Sequence, residues 1–329
     1  MIIYHQDYLK HVLSFGHPES PERLNATVKK LNEEKLWDNV LEPKEARIEH
    51  LRKVHDFEYI EAVKNQGFIG FEAPVHADTF RIAALAAGGA ILAATESYEN
   101  KKTSFALVRP PGHHAGKDYG GGFCYFNNIA IATKVLNKRA EIIDIDLHHG
   151  NGTSDIFYED DKVLYISIHQ YGIYPGTGYL NEVGKGKGEG FTINIPFTSG
   201  CGDSSYTLAF EKVIEPATEQ FKPEIILVSF GSDAHYMDPL GGLALSTSGY
   251  LEIAKKIIKL SNELCERKAM FLLEGGYHLE ALAECVATII GAMQNKQIES
   301  KFNDVRDVSG IGTRIIEKII EVQKRYWRL

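Results

Sequence analysis

The chain has 329 residues, of which 44% are hydrophobic and 24% charged, so it can bury a large core and wholesale disorder is excluded. Its 36 basic and 44 acidic residues leave a formal charge of −8, which argues against a surface dedicated to nucleic acid or to an anionic membrane. The four cysteines are scattered without a Cys-x-x-C pair, which excludes a disulfide scaffold or a thiolate zinc site and favours a reducing compartment.

The first predicted elements are helical. Residues 1–7 lack the basic and apolar regions of a signal peptide. A helix is predicted to start at residues 20–22, with serine as its cap and proline in its first turn. The longest apolar stretch, 82–95, is shorter than the about 20 residues of a membrane span and is rich in alanine and glycine, so it predicts a buried helix. We therefore expect a cytoplasmic protein with no membrane partner.

Short apolar segments alternate with helical patterns through the rest of the chain. One amphipathic helix is predicted after the cap cluster at residues 246–248. The predicted strands are 103–108, 141–146, 163–169, 191–196, 224–230 and 270–274. Continuous apolar strands that alternate with helices indicate a sheet covered on both faces. The prediction is a single α/β domain over residues 1–329, with a central, mostly parallel sheet flanked by helices.

Four of these strands lead into segments rich in polar residues and glycine. The segments are 109–114, 144–151, 231–235 and 274–277. Ligands of open parallel sheets bind outside the carboxyl ends of the strands. We therefore expect these four segments to converge on a single site.

The second segment has a pattern that favours a metal site. Asp144, Asp146 and His148 are spaced by two, which in an extended chain places them on one face of the strand. Two buried carboxylates are costly unless a cation or a charged partner compensates. An Asp and a His two apart, joined by the remote Asp233, would make a three-ligand site that suits Zn²⁺, with Fe²⁺, Co²⁺ or Mn²⁺ as alternatives. The structural alternative is strand-end capping and salt bridging.

The first and fourth segments carry groups that suit proton transfer. His113 and His114 follow a stiff Pro-Pro-Gly turn, and paired neutral imidazoles beside an activated water suit general base and acid work near pH 7. Tyr277 follows two glycines and could bring its phenol to an oxyanion. Taken alone, each of these features is more often explained by packing than by catalysis, but all of the structural interpretations would have to hold at once.

At these residues the chain resembles the histone deacetylase superfamily, zinc amidohydrolases of the arginase–deacetylase fold, and within it the class II branch and its prokaryotic relatives. The resemblance covers nearly the whole chain. It rests on five ordered motifs: Arg-Pro-Pro-Gly-His-His-Ala at 109–115, Gly-Gly-Phe-Cys-Tyr-Phe-Asn-Asn at 121–128, Asp-Ile-Asp-Leu-His-His-Gly-Asn-Gly-Thr at 144–153, Asp-Pro-Leu-Gly-Gly at 238–242 and Leu-Glu-Gly-Gly-Tyr at 273–277.

The resemblance implies two cations. Asp146, His148 and Asp233 match the ligands of a catalytic Zn²⁺. A structural K⁺ is implied beneath it, held by the Asp144 side chain and by the main-chain carbonyls of Asp144, Asp146 and His148. Ser167 matches the hydroxyl ligand of that potassium site.

The resemblance also implies a role for each catalytic side chain. His114 matches the general base that takes a proton from metal-activated water, and His113 matches the histidine that assists the leaving group. Asp144 and Asn151 match the groups that orient these two imidazoles; the family's class I enzymes have Asp in place of Asn151. Tyr277 matches the donor to the tetrahedral oxyanion.

A narrow substrate tunnel is implied as well. Phe123 and Tyr174 match its aromatic walls, with Gly122 and Leu240 nearby. The segment 65–74 is shorter than the loop in which relatives place an acceptor for the substrate backbone, and only Glu72 is available for that role.

The function that this resemblance implies is zinc-dependent hydrolysis of acetyl or acyl groups from the lysine side chains of proteins or peptides. The alternative is an acetylpolyamine amidohydrolase. Leu240 argues against it, since a polyamine-selective relative places an acidic residue there, whereas His235 and the net charge favour it. Ser232 replaces the family's usual Phe and is expected to change the rim. A weakly catalytic acyl-lysine-binding scaffold is the third interpretation, which predicts the loss of a chemical residue. The oligomeric state is left open.

Overall fold

The computed structural model of the chain describes residues 1–70, 72–308 and 310–329, and at its centre lies a sheet of eight strands. The strands are β1 (Ile2–Ile3), β2 (Val40–Leu41), β3 (Thr103–Ala106), β4 (Ala140–Asp144), β5 (Val163–Gln170), β6 (Thr192–Phe197), β7 (Ile225–Phe230) and β8 (Ala269–Leu273). Their order is β2-β1-β3-β8-β7-β4-β5-β6, and every neighbouring pair is parallel. The predicted α/β fold is confirmed, with a sheet that is wholly parallel.

Helices flank this sheet. Within the described ranges they are α1 (Glu22–Glu33), α2 (Ile48–Leu51), α3 (Phe57–Lys64), α4 (Thr79–Asn100), α5 (Asn128–Leu136), α6 (Asn151–Phe157), α7 (Asp203–Ala209), α8 (Glu215–Phe221), α9 (Thr247–Leu264), α10 (Leu279–Met293) and α11 (Ile311–Gln323). A π-helical turn, Phe210–Ile214, joins α7 to α8. Every residue of β4, β6, β7 and β8 is buried, which requires that both faces of the sheet be covered.

All six predicted strands are present, each within two residues of its predicted bounds. The strands β1 and β2 were not predicted, because two residues are too few to show a period. They form because Ile2 pairs with Val40 on one side and with Phe105 on the other, contacts that are remote in sequence.

One predicted helix start is wrong in detail and another is confirmed. Helix α1 begins at Glu22 with Pro21 at its N-cap, and no side chain caps it, so Ser20 does not have the predicted role. Helix α9 begins as predicted, because the Ser246 side chain accepts a hydrogen bond of 3.1 Å from the Gly249 N–H.

The apolar stretch 82–95 lies within α4 and is mostly buried, as predicted. By length and composition alone, α4 could cross a membrane. This is weak evidence for a membrane span, because a buried core helix passes the same test and 67% of the most apolar window of α4 is buried. Its small residues permit close packing. A Cβ on Gly88 would lie 1.8 Å from the main-chain oxygen of Lys44, so only glycine fits there.

The strand order explains how the polar segments meet. Strands β3, β8, β7 and β4 are consecutive neighbours, and all of them are parallel. The segments 109–114, 274–277, 231–235 and 144–151 therefore leave the same edge of the sheet. The predicted convergence on one site is confirmed at the level of topology.

One buried carboxyl group in the sheet lies outside this site. Glu141, on β4, is fully buried and accepts a 2.7 Å hydrogen bond from Thr218, while its second oxygen has no partner among the described residues. Burial raises its pKa from 4.5 to about 8, although the Thr218 hydrogen bond lowers it. The native state therefore keeps a proton that the unfolded state releases near pH 4.5, so stability falls as the pH rises from about 4.5 to 8.

We expect Glu141→Gln to remove this pH dependence, because the amide retains an acceptor for Thr218 and carries no charge. At pH 9 the variant should be more stable than the parent protein by about 2–4 kcal/mol, and at pH 5 the two should differ by less than about 1 kcal/mol. Urea unfolding at both pH values measures this. The exposed Glu263→Gln is the control and should show no such change. Parallel pH profiles for parent and Glu141→Gln would contradict the prediction.

Candidate active site

The paired histidines lie on the segment that follows β3, and a buried carboxylate holds their backbone. One Glu274 oxygen accepts hydrogen bonds from the N–H groups of Gly112, at 2.7 Å, and His113, at 3.2 Å. The other accepts a bond of 3.3 Å from Ser229 on β7. Glu274 follows β8, so it connects three adjacent strand ends.

Asp146, His148 and Asp233 come together as the sequence predicted, but by a different local geometry. Strand β4 ends at Asp144, and the following residues bend instead of continuing in extended form. An Asp144 oxygen accepts the N–H of Asp146 at 3.2 Å, and an Asp146 oxygen accepts the N–H of His148 at 2.9 Å. These local bonds are typical of Asp in turns. The expectation that Asp144, Asp146 and His148 share one face of a strand is therefore wrong.

The resulting group has the donor atoms and spacing of a cation site. His148 Nδ1 lies 3.1 Å from an Asp233 oxygen and 3.3 Å from an Asp146 oxygen, and the three ligand atoms all lie within 4.8 Å of one another. A tetrahedral site with bonds of about 2.0–2.1 Å separates its ligand atoms by about 3.3 Å. The donor set therefore fits a divalent ion such as zinc.

Two glycines allow these carboxylates to sit where they do. A Cβ on Gly231 would lie 2.1 Å from an Asp146 oxygen, and one on Gly275 would lie 2.4 Å from an Asp233 oxygen. Burial lowers the pKa of His148, but its hydrogen bonds to Asp146 and Asp233 outweigh burial and raise it to about 10. The two carboxylates thus create a strong preference for positive charge at this point.

The two histidines have different partners. His113 Nδ1 donates to an Asp144 oxygen at 3.1 Å, and His113 Nε2 lies 3.7 Å from Asp146. Burial lowers the pKa of His113, but the charges of Asp146 and Asp144 raise it to about 10. His114 Nδ1 donates to the Asn151 side-chain oxygen at 2.8 Å. Burial and then the charge of His113 hold the pKa of His114 well below its usual value. These environments separate the affinities of the two imidazoles for protons.

Tyr277 follows β8 and is held from its backbone and its ring. Its N–H donates to an Asp238 oxygen at 2.6 Å, and the Arg23 guanidinium lies 5.1 Å from its ring centre. Arg23 also donates to the Gly276 carbonyl at 2.7 Å. Burial raises the pKa of the phenol well above its usual value, so it stays protonated and can act as a donor.

Three of the four predicted tunnel residues contact the histidines or Tyr277. The Phe123 ring packs edge-on against Tyr277 at 6.1 Å, and the Tyr174 ring packs edge-on against His114 at 4.9 Å. A Cβ on Gly122 would lie 2.3 Å from the His114 ring, so any larger residue at this position would clash with that ring.

The outer tunnel residues are more exposed. Tyr174 and Leu240 are 41% and 43% exposed, as expected of residues at a rim. Glu72 is also exposed, and its carbonyl accepts the Phe123 N–H at 3.1 Å. Glu72 and Phe123 line a neighbouring cavity of about 800 Å³.

Two of the predicted potassium ligands, Asp144 and Ser167, are neighbours in the sheet. Asp144 on β4 is in register with Ser167 on β5, and both are fully buried. Asp144 additionally accepts a 3.1 Å hydrogen bond from Tyr165, and the Ser167 hydroxyl lies 2.8 Å from His169 Nδ1. Asp144 and Ser167 are therefore each in contact with a further side chain, Tyr165 and His169 respectively, that the sequence did not indicate.

Two residues that the sequence associated with substrate choice do not face the rim. Ser232 is buried. A Cβ on Gly276 would lie 2.1 Å from the Ser232 hydroxyl, so Ser232 packs against the segment that leads into Tyr277. His235 is also buried; its ring stacks on Tyr236 at 4.5 Å and meets Phe302 edge-on at 5.8 Å. The expectation that Ser232 changes the rim is wrong, and the contacts of His235 do not support a role in binding substrate.

Sequence reasoning missed one further ligand group. His113, Cys124 and Glu274 have potential ligand atoms within 4.8 Å of one another, although the cysteine spacing had excluded a thiolate site. Both Glu274 oxygens already accept hydrogen bonds, and burial raises the pKa of the Cys124 thiol well above its usual value. This group is therefore the weaker cation site of the two.

An ion network beneath the histidines was also missed. Glu19 receives both Nε and an Nη of Arg109, at 2.5 and 2.8 Å, and Arg23 Nη1 at 3.2 Å. All three side chains are fully buried. Glu19 and Arg109 are 90 residues apart in the sequence, so residue spacing could not reveal this ion pair. The spacing of four between Glu19 and Arg23 was the available sequence signal.

Comparison with known proteins agrees with this arrangement. The histone deacetylase domain family matches residues 17–293. A probable deacetylase of Archaeoglobus fulgidus is 45% identical over 307 residues, covering 89% of this chain and 85% of that protein. The chloroplastic histone deacetylase 10 of Oryza sativa subsp. japonica is 40% identical, covering 94% and 77%. The crystal structure of an HDA15 HD domain superposes with a TM-score of 0.89 at 32% identity, covering 99% and 96%. The chain belongs to the histone deacetylase family and has its arginase–deacetylase fold.

Proposed function

We propose that the protein is a zinc-dependent hydrolase that removes acetyl groups from lysine side chains of proteins or peptides. The observation that carries this proposal is the approach of Asp146, His148 and Asp233 to within 4.8 Å, beside two histidines with separate partners. The relatives are named deacetylases, which supports the same reaction. These three side chains would hold the zinc.

Bound zinc supplies Lewis acidity, which polarises a carbonyl and lowers the pKa of water. His114 has its Nδ1–H engaged by Asn151, so its Nε2 is the nitrogen that takes a proton from the attacking water. Tyr277 donates its phenol proton in a hydrogen bond to the developing oxyanion. His113, held in its charged form by Asp144, gives a proton to the departing amine, which leaves lysine and acetate.

The rim supports an aliphatic amide chain as substrate. Leu240 and Tyr174 present apolar surface at the entrance, while Phe123 lies deeper against Tyr277. A second cationic amine, as in a polyamine, would need a carboxylate close to the entrance. Glu72 is an exposed acid that lines one cavity with Phe123, and in this proposal it receives the peptide backbone instead. We retain potassium as a structural ion, supported by the register of Asp144 and Ser167.

The proposal is tested by competition between two substrates. Zinc-loaded protein is given an acetyl-lysine peptide and an acetylated diamine together, with a chelator-treated sample as control, and both are followed by mass spectrometry. We expect faster loss of the peptide and no loss after chelation. Faster loss of the diamine would move the function to small acetylated amines. Binding without turnover in the zinc-loaded protein would contradict a hydrolase and favour an acyl-lysine-binding scaffold.

A further inference from the structure

A line of hydrogen-bonded side chains continues outward from His114. Asn151 accepts from His114 Nδ1 through its oxygen at 2.8 Å, and its NH₂ group donates to the Tyr119 hydroxyl at 3.1 Å. The Tyr119 hydroxyl donates in turn to an Asp155 oxygen at 2.5 Å. The line therefore runs from a buried imidazole to an exposed carboxylate.

The fold holds each member of this line in place. Asn151 and Asp155 are four residues apart on α6, so their side chains project from the same face of the helix. The start of α6 is tied to the histidine segment, because the Thr153 N–H donates to the His113 carbonyl at 3.1 Å. A Cβ on Gly116 would lie 2.2 Å from the Tyr119 ring, so glycine there lets the ring lie back across the turn.

The chemistry of the line sets the orientation of one amide. A side-chain amide can be turned by half a rotation, exchanging its oxygen and nitrogen. The Asp155 carboxylate accepts the Tyr119 proton, which leaves the phenol oxygen to accept from the amide nitrogen of Asn151. The amide oxygen must then face His114, where it requires a proton on Nδ1. Nε2 is consequently left free of a proton.

The line positions His114 and does not conduct protons away from it. A primary amide has no proton that it can pass on without becoming an unstable imidic acid, so Asn151 interrupts any relay. The outer two members can act on His114 only by fixing the amide. This distinguishes them from the groups that meet the substrate.

We propose that Tyr119 and Asp155 are positioning residues that lock the Asn151 amide, and through it the base-competent tautomer of His114. The proposal rests on the hydrolase function proposed above. The pair supplies a negative charge three hydrogen bonds away from His114, where Asn151 itself carries none.

The kinetic test uses Tyr119→Phe and Asp155→Asn in the zinc-loaded protein with an acetyl-lysine peptide. We expect Tyr119→Phe to lower kcat about tenfold with KM changed less than about twofold, because one charge-assisted hydrogen bond is lost and the tunnel is untouched. Asp155→Asn should lower kcat by a smaller factor. The double variant should match Tyr119→Phe alone, since Asp155 acts only through the phenol.

Matched controls and a second readout keep the outcomes distinct. Tyr158 and Asp161 line a surface cavity together with Asp155, so Tyr158→Phe and Asp161→Asn are matched controls that should leave kcat unchanged. NMR of protein labelled with ¹⁵N-histidine should show a His114 Nδ1–H signal protected from exchange, which Tyr119→Phe weakens whether or not the chosen peptide is a substrate. Additive kinetic losses, or an unchanged His114 signal in Tyr119→Phe, would overturn the proposal. An inactive parent protein with the expected NMR change would overturn the proposed function alone.

Discussion

Replacing Tyr277 by phenylalanine is expected to lower kcat by about 10²–10³-fold while the zinc content stays the same. The change removes one hydroxyl and keeps the ring that packs against Phe123 and beneath Arg23. A donor aimed at a developing oxyanion contributes this magnitude because it strengthens as charge appears in the transition state. Tyr277 is not among the three side chains that would hold the ion, so metal affinity should not follow activity.

The measurement combines steady-state kinetics on the acetyl-lysine peptide with metal analysis of the same samples. Tyr171→Phe is a suitable control, because it removes a hydroxyl from an exposed tyrosine in the segment that follows β5. Near-parental kcat in Tyr277→Phe would remove the phenol from the mechanism. Lost activity together with lost zinc would show that Tyr277 supports the metal group instead.

Replacing Arg109 by methionine is expected to destabilise the protein by about 3–5 kcal/mol at pH 7, since it leaves a buried charge without its main partner. Glu19 would retain the 3.2 Å contact to Arg23 and a longer one of 3.9 Å to His11, and the carbonyls of Tyr8 and His11 would each lose a hydrogen bond from the guanidinium. Burial raises the pKa of Glu19, but the Arg109 guanidinium outweighs it and lowers the pKa to about 2. The stabilisation is therefore complete above about pH 4.5 and is lost as the pH falls toward 2.

Urea unfolding of Arg109→Met and the parent protein at pH 7 and pH 3 measures this effect. The difference between the two proteins should shrink at pH 3, where Glu19 of the unfolded parent is protonated. Arg81→Met is the matched control, because its 2.7 Å pair with Asp7 lies at the surface and should contribute little. Equal losses in the two variants would contradict a special role for the buried network.

Much of the fold was predictable because each central strand carries its own signal. Continuous apolar runs predict β3 to β8. The polar residues that follow four of these strands indicate one shared edge of the sheet without reference to any known family. The two-residue strands β1 and β2 were not predictable, because so short a segment becomes a strand only through partners that are remote in sequence, such as Val40 and Phe105 for Ile2.

The residues of the candidate site also divide into those that the sequence identified and those that it did not. Asp146 and His148 were identified by their spacing, yet the reason they meet is a pair of local turns and not a shared strand face. Glu19 and Arg109 were not identified, because a contact across 90 residues leaves no periodic trace. The expected position of Ser232 was wrong, since a place beside Asp233 in the sequence does not put a side chain at the rim, and His235 is buried as well.

The carboxylates of the metal group have a further consequence for how the protein is assembled. One Asp146 oxygen accepts the His148 N–H and the other accepts the Gly275 N–H at 2.8 Å, while Asp233 accepts the Leu147 N–H at 2.9 Å. Main-chain N–H groups that follow two strands, β4 and β8, thus hold the two carboxylates in position independently of an ion. For the proposed zinc enzyme we therefore expect a domain that folds first and takes up its ion afterwards, so that removing the ion lowers activity more than stability.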